Sequence, residues 1–406
     1  MKNRVRDLAI HGGSPAFPEA LHVGRPNIGN RQRLFERIDG MLDRRWLSNG
    51  GPLVQEFEAR VADIAGVKHC VATCNGTAAL AIAIRALGLE GEVIVPSFTF
   101  VATAQALLWQ GITPVFCDIG ATDHNIDPER VEELVTPRTT AILGVHLWGK
   151  PCDTEALAEI AARHGLRLLF DAAHALGCGG RGRPIGGFGD AEVFSFHATK
   201  FVNSGEGGAV VTDDDRLANS LRLTGNFGFT AYDRVDRLGT NAKMSELAAA
   251  MGLTSLESAA EFVAANRRNY DQYRRELAGV EGVELVAYDE TRPCNHQYVV
   301  VEVDERLAGP GRDQLIEILH AERIFARRYF YPGCHRMEPF RTLLPDASPR
   351  LPRTEHAAAR VIALPTGTAL GPGEIAEVCA ILRLALESVR SKGNGLAAAA
   401  SRGRTR

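Results

Sequence analysis

Between residues 93 and 196, short apolar runs rich in β-branched residues alternate with helix-like stretches. That alternation constrains the fold more than any other feature of the chain. The runs at 93–95, 115–119, 141–146, 167–170 and 193–196 are bounded by turn residues and read as buried strands. Between them, 77–87 is Ala-rich, opens after Asn75-Gly76 and stops at Gly88. The stretch 154–164 follows Asp153, an N-cap residue, and stops at Gly165. Strands alternating with helices predict an α/β fold whose mainly parallel sheet is covered on both faces. Ligands of such sheets sit beyond the carboxyl ends of the strands, where the polar residues of this sequence collect.

From about Met244 the pattern changes. Residues 245–277 are rich in Ala, Glu and Arg and read as one long connecting helix. Beyond them 283–286, 297–303 and 323–331 read as strands, and 312–321 and 373–389 as helices. The predicted division is a large domain with its N-terminal segment over 1–255, the connector and a smaller α+β domain over 256–390, and a disordered tail over 391–406.

Composition removes several classes of function. A net charge of -3 offers no basic field to gather nucleic acid or an anionic membrane. Eight cysteines in 406 residues are too few for a disulfide scaffold, and none follows zinc-ligand spacing, so no metal is expected. No apolar run reaches the ~18 residues of a membrane span, and residues 1–10 are charged, unlike a signal peptide. Free thiols and these absences together predict a cytoplasmic protein.

The chemistry gathers around Ser195-Phe196-His197-Ala198-Thr199-Lys200, followed by Glu206-Gly207-Gly208. A lone loop lysine is ordinarily a solvated charge, but Lys200 has companions. Asp171 closes the strand at 167–170, and a carboxylate just past an apolar strand needs a donor or cationic partner. A helix N-terminus or a protonated pyridine nitrogen would serve. At Asn75-Gly76-Thr77, Gly and Thr start a helix whose N–H groups and dipole favour an anion. The Ser195 hydroxyl could join the same anion. Phe100, after the strand at 93–95, could stack on a flat heterocycle or simply fill the core.

Together these pieces resemble the fold-type I enzymes of pyridoxal 5'-phosphate (PLP), which are aspartate aminotransferase-like, and within them the DegT/DnrJ/StrS family of sugar aminotransferases. The resemblance runs from about Leu8 to Val389. It rests on Trp46-Leu47-Ser48-Asn49-Gly50-Gly51-Pro52, Gly76-Thr77-Ala78-Ala79-Leu80, Pro96-Ser97-Phe98-Thr99-Phe100, His146-Leu147-Trp148-Gly149, Asp171-Ala172-Ala173-His174, Ser195 to Lys200 and Gly239-Thr240-Asn241, in the family's order and spacing. It implies that Lys200 carries the cofactor as a Schiff base and that Asp171 pairs with the pyridine nitrogen. It places His174 beside the ring, Gly76, Thr77 and Ser195 on the phosphate, and Phe100 stacked on the ring. Asn241 matches a residue that reaches a phosphate in the neighbouring subunit, so a homodimer with shared active sites is implied. The segment Arg327 to His335 resembles the family's aromatic-Pro-His segment and offers Tyr329, Tyr331 and His335 as substrate contacts. Where many relatives carry a histidine near the C-terminus, this chain has Leu364-Pro365-Thr366-Gly367, and no role transfers there.

The resemblance further implies a ping-pong reaction in which an amino-acid donor, L-glutamate in the family, leaves its amino group on the cofactor as pyridoxamine phosphate. A nucleotide-linked keto sugar then receives it. The pattern is nearest to enzymes that aminate C4 of dTDP-4-keto-6-deoxy-D-glucose for antibiotic amino sugars. Amination at C3 of a 3-keto nucleotide sugar and a non-catalytic PLP-binding regulator are the alternatives. Relatives that dehydrate the sugar instead replace the lysine with histidine, and Lys200 favours transamination.

Overall fold

The computed structural model describes residues 2–347 and 351–402, with side chains as far as Ser388. Strand β1 (Leu21–His22) is followed by β2 (His69–Thr73), β3 (Glu92–Pro96), β4 (Thr113–Cys117), β5 (Thr139–Val145) and β6 (Arg167–Asp171). A small hairpin, β7 (Gly179–Gly180) and β8 (Arg183–Pro184), precedes β9 (Ala191–Ser195) and β10 (Gly208–Thr212). A second hairpin pairs β11 (Phe229–Ala231) with β12 (Arg234–Val235). The C-terminal part adds β13 (Val283–Leu285), β14 (Val299–Val303), β15 (Ile324–Phe325) and β16 (Val361–Leu364).

Seven strands form one sheet in the order β2-β10-β9-β6-β5-β3-β4. β10 runs antiparallel to both of its neighbours, and every other pairing in the sheet is parallel. The α/β reading with a mainly parallel sheet therefore holds. Alternate side chains explain why the strands are apolar throughout. Val93, Val95, Leu143, Leu169, Val193 and Val210 pack on one face. Ile94, Ile142, Leu168 and Phe170 pack on the other. Each such side chain, fully buried, contributes roughly 1.5–3 kcal/mol.

The helices α1 (Arg31–Arg44), α2 (Pro52–Ala65), α3 (Gly76–Ala86), α4 (Val101–Leu108), α5 (Pro128–Leu134), α6 (Thr154–His164) and α7 (Asp215–Thr224) flank this sheet. Leu80, Ile82 and Ile84 of α3 and Leu217 and Leu221 of α7 cover the first face. Leu157 and Ile160 of α6 lie on the second. The Asp153 side chain caps α6 by accepting from the Ala156 N–H at 3.3 Å, and Gly165 ends it in the left-handed conformation.

The expected single connector is two helices, α8 (Glu246–Glu257) and α9 (Ala259–Leu277), which break at Ser258. No Gly or Pro marks the break in sequence. The remaining helices are α10 (Glu305–Ala308), α11 (Arg312–Ala321), α12 (Phe340–Leu343), α13 (Pro352–Arg360) and α14 (Pro372–Arg402). The tail expected from residue 391 thus carries helix as far as Arg402, across the strong helix formers Leu396 to Ala400. Its last residues, 403–406, lie outside the described residues.

The C-terminal core joins Tyr273 and Leu277 of α9, Leu315 and Leu319 of α11, Ile375 and Leu382 of α14, and β13, β14 and β16. Leu8, Phe17 and Leu21 belong to the same core. β1 pairs in parallel with β15. The buried Glu322 carboxylate accepts from Ala9 N–H at 2.6 Å and Ala16 N–H at 2.8 Å, and pairs with the Lys2 ammonium at 2.7 Å. The N-terminal segment therefore packs with the C-terminal unit, across most of the chain length. The run at 323–331, expected as a strand, provides only β15 and a single bridge from Arg327 to Ala363.

Candidate active site

The parallel strands end along one edge of the sheet, and an open cavity of about 390 Å³ lies there. Its walls include Asp171 from β6, Ser195 from β9, Lys200, and Gly76 and Thr77 from the start of α3. Phe100, His174, Tyr298 and Tyr329 complete much of the rest. The expected residues Lys200, Asp171, His174, Gly76, Thr77, Ser195 and Phe100 are therefore brought together, from stretches up to 124 positions apart in sequence (Gly76 to Lys200).

Asp171 is the last residue of β6, so strand alternation delivers its side chain to the cavity while Phe170 points into the core. Its Oδ2 accepts from Thr103 Oγ1 at 2.8 Å and its Oδ1 from the Ala173 N–H at 3.0 Å. Burial pushes this carboxyl up. The Thr103 hydroxyl, the Ala173 N–H and the Lys200 ammonium pull it down without fully offsetting that. A carboxylate desolvated to this degree gains strongly from a cation placed beside it.

Lys200 follows β9 in a loop held by the Lys200 N–H to His197 O bond at 2.8 Å. Its Nζ lies 3.5 Å from Tyr298 Oη. Burial lowers the amine to about 8, against the raising pull of Asp171. An amine so placed has an appreciable neutral, nucleophilic fraction near neutral pH.

His174 is buried, and burial followed by repulsion from Lys200 holds it well below the usual histidine range. It is therefore neutral at neutral pH. Nδ1 accepts from the Trp148 N–H at 3.2 Å, which assigns the ring proton to Nε2. Its ring lies parallel to Phe330, 5.9 Å between centroids, and tilted against Tyr298 at 4.7 Å.

At the other end of the cavity, Asn75 caps α3 by accepting from the Ala78 N–H at 2.8 Å. The first N–H groups of the helix face outward with its dipole behind them. Close packing makes this cradle. A Cβ on Gly208 would meet the Asn75 carbonyl carbon at 2.5 Å and the Gly76 nitrogen at 2.6 Å. One on Gly76 would meet Ser195 Cβ at 3.1 Å. Only glycines let β10, β9 and α3 approach so closely. Phe100, 56% exposed at the start of α4, presents a flat apolar face over the cavity.

Amine, carboxylate, outward helix N-terminus and aromatic face fit the carbonyl, pyridine nitrogen, phosphate and ring of PLP, one for one. Among the described residues no group of three or more His, Cys, Asp or Glu could hold a metal, and no helix is long and apolar enough to cross a membrane.

Other expectations met a different geometry. Tyr329 lines the cavity, stacked on Phe330 at 5.0 Å. Tyr331 does not line it, and its ring lies under the guanidinium groups of Arg312 and Arg328 at 4.7 and 5.1 Å. His335 is buried away from the cavity, with Nδ1 2.7 Å from Ser97 Oγ and Nε2 3.2 Å from Glu355 Oε1. Asn241 is exposed, bridges to Asn226 and lies outside this chain's cavity. Tyr298 was missed, while Phe330, within the segment Arg327 to His335, and Thr103 carried no assigned role. Thr103 stood in the quoted aromatic segment's continuation, two residues past Val101, yet nothing in its spacing pairs it with Asp171.

Comparison with known proteins agrees with this geometry. The model of the DegT/DnrJ/EryC1/StrS aminotransferase family matches residues 29–383. A protein of Shigella dysenteriae named dTDP-4-amino-4,6-dideoxy-D-glucose transaminase is 38% identical over 315 residues, 77% of this chain and 85% of the relative. A GDP-perosamine synthase of Caulobacter vibrioides is 36% identical over 368 residues, 89% of this chain and 97% of the relative. Among solved structures, DesI in the presence of its TDP-sugar product superposes with a TM-score of 0.91 at 54% identity, covering 96% of this chain and 99% of that one. The chain belongs to the DegT/DnrJ/EryC1/StrS aminotransferase family and is a PLP-dependent sugar aminotransferase.

Proposed function

We propose that this enzyme moves an amino group from L-glutamate to C4 of a dTDP-4-keto-6-deoxyhexose, in the making of a deoxyamino sugar for an antibiotic or similar natural product. The observation that carries the proposal is the whole-length likeness, at 54% identity, to DesI, whose structure was solved with a TDP-sugar product. The Shigella relative, named for a dTDP-4-amino sugar, supports the same substrate class.

Bound in the cavity, PLP supplies a ring that takes up the electron pair left when the donor's Cα loses its proton. The remaining tasks belong to the chain. Lys200 anchors the cofactor, and its amine, once released, carries the proton away from Cα as general base. Asp171 holds the proton of the ring nitrogen, and Thr103 and the Ala173 N–H fix the direction of that carboxylate. The first N–H groups of α3 and the Ser195 hydroxyl hold the phosphate. Neutral His174 and apolar Phe100 border the ring without adding a charge that would compete with Asp171. Tyr329 borders the open side, where the sugar enters.

The enzyme works as a homodimer in which Asn241 serves the partner's phosphate site. Its exposure and its place outside its own cavity support this reading.

A half-reaction tests the substrate. Enzyme is converted to the pyridoxamine form with L-glutamate, freed of glutamate and given dTDP-4-keto-6-deoxyglucose. Return of the visible band, with one 4-amino sugar per site, is the expected result. A band that glutamate bleaches and this sugar never restores would refute the substrate, and 3-keto isomers would be tried next.

A further inference from the structure

We infer that Cys178 and Cys294 form a dithiol that hydroperoxides oxidise to a disulfide, a modification site separate from the amino-transfer cavity. The two residues come from distant parts of the chain and are held side by side. The Gly179 N–H donates to Pro293 O at 2.9 Å. A Cβ on Gly179 would lie 2.8 Å from Pro293 Cδ, so the two backbones touch here. That contact sets residue 178 beside residue 294, and Cys294 packs against the core cluster that contains Cys178. Gly149 completes the fit, since a Cβ there would meet Cys178 Sγ at 3.1 Å.

The pair is asymmetric in the way a peroxide-reactive dithiol requires. Cys294 is partly exposed and lines an open cavity of about 300 Å³ with Gly149, Gly179, Arg181 and Arg292. This cavity shares no lining residue with the amino-transfer cavity. Cys178 is buried behind it. The His296 N–H donates to Cys294 Sγ at 3.3 Å, and the neighbouring Cys178 and His296 hold the Cys294 thiol below the usual thiol range. Of the eight cysteines, the other seven are pushed up, six of them by burial first and Cys178 by its neighbour Cys294. Cys294 is therefore the thiol that reacts first, and Cys178 is in place to resolve it.

The chemistry balances. The Cys294 thiolate attacks one peroxide oxygen, the O–O bond breaks, and with one proton a sulfenic acid and water (or an alcohol) result. Cys178 Sγ then attacks the Cys294 sulfur, losing its proton and displacing a second water. In sum, two thiols and one hydroperoxide give one disulfide, one water and one alcohol, the alcohol being a second water when the oxidant is hydrogen peroxide. The new bond joins the loop after His174 to the segment leading into Tyr298. Asn295 already ties these two together, through Nδ2 to His174 O at 2.9 Å and Leu176 O at 3.1 Å. Disulfides of this kind in a reducing compartment are transient and regulatory.

The test uses the intact holoenzyme. It is exposed to graded hydrogen peroxide, quenched with an alkylating reagent, unfolded and mapped by mass spectrometry. The expected result is a linked peptide pair, Cys178 to Cys294, lighter by two hydrogens and released by dithiothreitol. It should dominate at peroxide levels that leave Cys70, Cys117, Cys152, Cys334 and Cys379 alkylatable. In Cys294→Ser, oxidation of Cys178 should slow at least tenfold. Cys294→Ala repeats that arm should the serine variant fold poorly. Recovery of both thiols in alkylated form, conversion of Cys294 to its sulfinic acid with Cys178 still free, or undiminished Cys178 oxidation in the Cys294 variants would each overturn the inference.

Discussion

Two buried histidines, both quoted from motifs and both held below the usual histidine range by burial, have opposite settings. His174 stands three residues past the end of β6 and gives one nitrogen to the Trp148 N–H, and its ring lines the cavity. His335 has Ser97 at one nitrogen and Glu355 at the other. It stitches the segment after Tyr331 to β3's end and to α13 and faces no cavity. The residue type and the burial are the same. What separates them is whether the strand ends or the connecting segment sets the direction of the ring. The parallel sheet gathers functional groups along its carboxyl edge, whereas His335, at the end of the segment that brings Tyr329 to the cavity, spends both ring nitrogens on holding that segment in place.

That contrast can be broken in order of expected effect. Lys200→Ala should lower kcat by at least about a thousandfold, the upper range for a general base that also anchors the cofactor, as read by steady-state amino transfer. Activity within tenfold of the parent would remove Lys200 from the edge site altogether. A smaller effect comes from pH. With the amine lowered to about 8, its neutral fraction rises as pH rises through that value. Reconstitution of cofactor-free enzyme with PLP should therefore speed up about tenfold between pH 7 and pH 9 and then level off, a factor set by the titration curve. A rate that falls over that window would reverse the assigned sign.

Next comes the shared site. Asn241→Ala should weaken PLP retention by about three- to tenfold, the net worth of one ordinary hydrogen bond. It should do so in a mixed dimer through the neighbouring subunit, and equilibrium dialysis gives the measure. For the second histidine the loss moves from rate to stability. His335→Ala should cost about 1–3 kcal/mol by stranding Ser97 and Glu355, lowering Tm while kcat stays within about threefold. His174→Ala should do the reverse. Smallest of all, Tyr331→Phe should change kcat/KM less than about twofold, because the ring, not the hydroxyl, meets Arg312 and Arg328. A tenfold loss there would place Tyr331 on the substrate after all.

The sequence made β3, β4, β5, β6 and β9 legible because a strand buried on both faces must be apolar throughout. β2 was not read, since in His69-Cys70-Val71-Ala72-Thr73 the β-branched Val71 and Thr73 are separated by the small Ala72 and no apolar run forms. β10 was hidden behind Gly207-Gly208, which reads as a loop but is the close approach that shapes the phosphate cradle. Lys200 and Asp171 were legible as chemistry set at strand ends. Tyr298 was not, because it reaches the cavity from the C-terminal part of the chain, 98 residues past Lys200. No local pattern announces a contact that only the packing of two units creates. His335 looked like part of the site beside Tyr329, and only its hydrogen bonds to Ser97 and Glu355 show otherwise.

The central claim is that the cofactor is held on Lys200 over Asp171, at the carboxyl edge of the sheet. Borohydride treatment of the holoenzyme fixes the cofactor permanently to its lysine, and peptide mapping then locates it. The account predicts one labelled residue, Lys200. Label on Lys150 or Lys243, or none on any lysine, would contradict it.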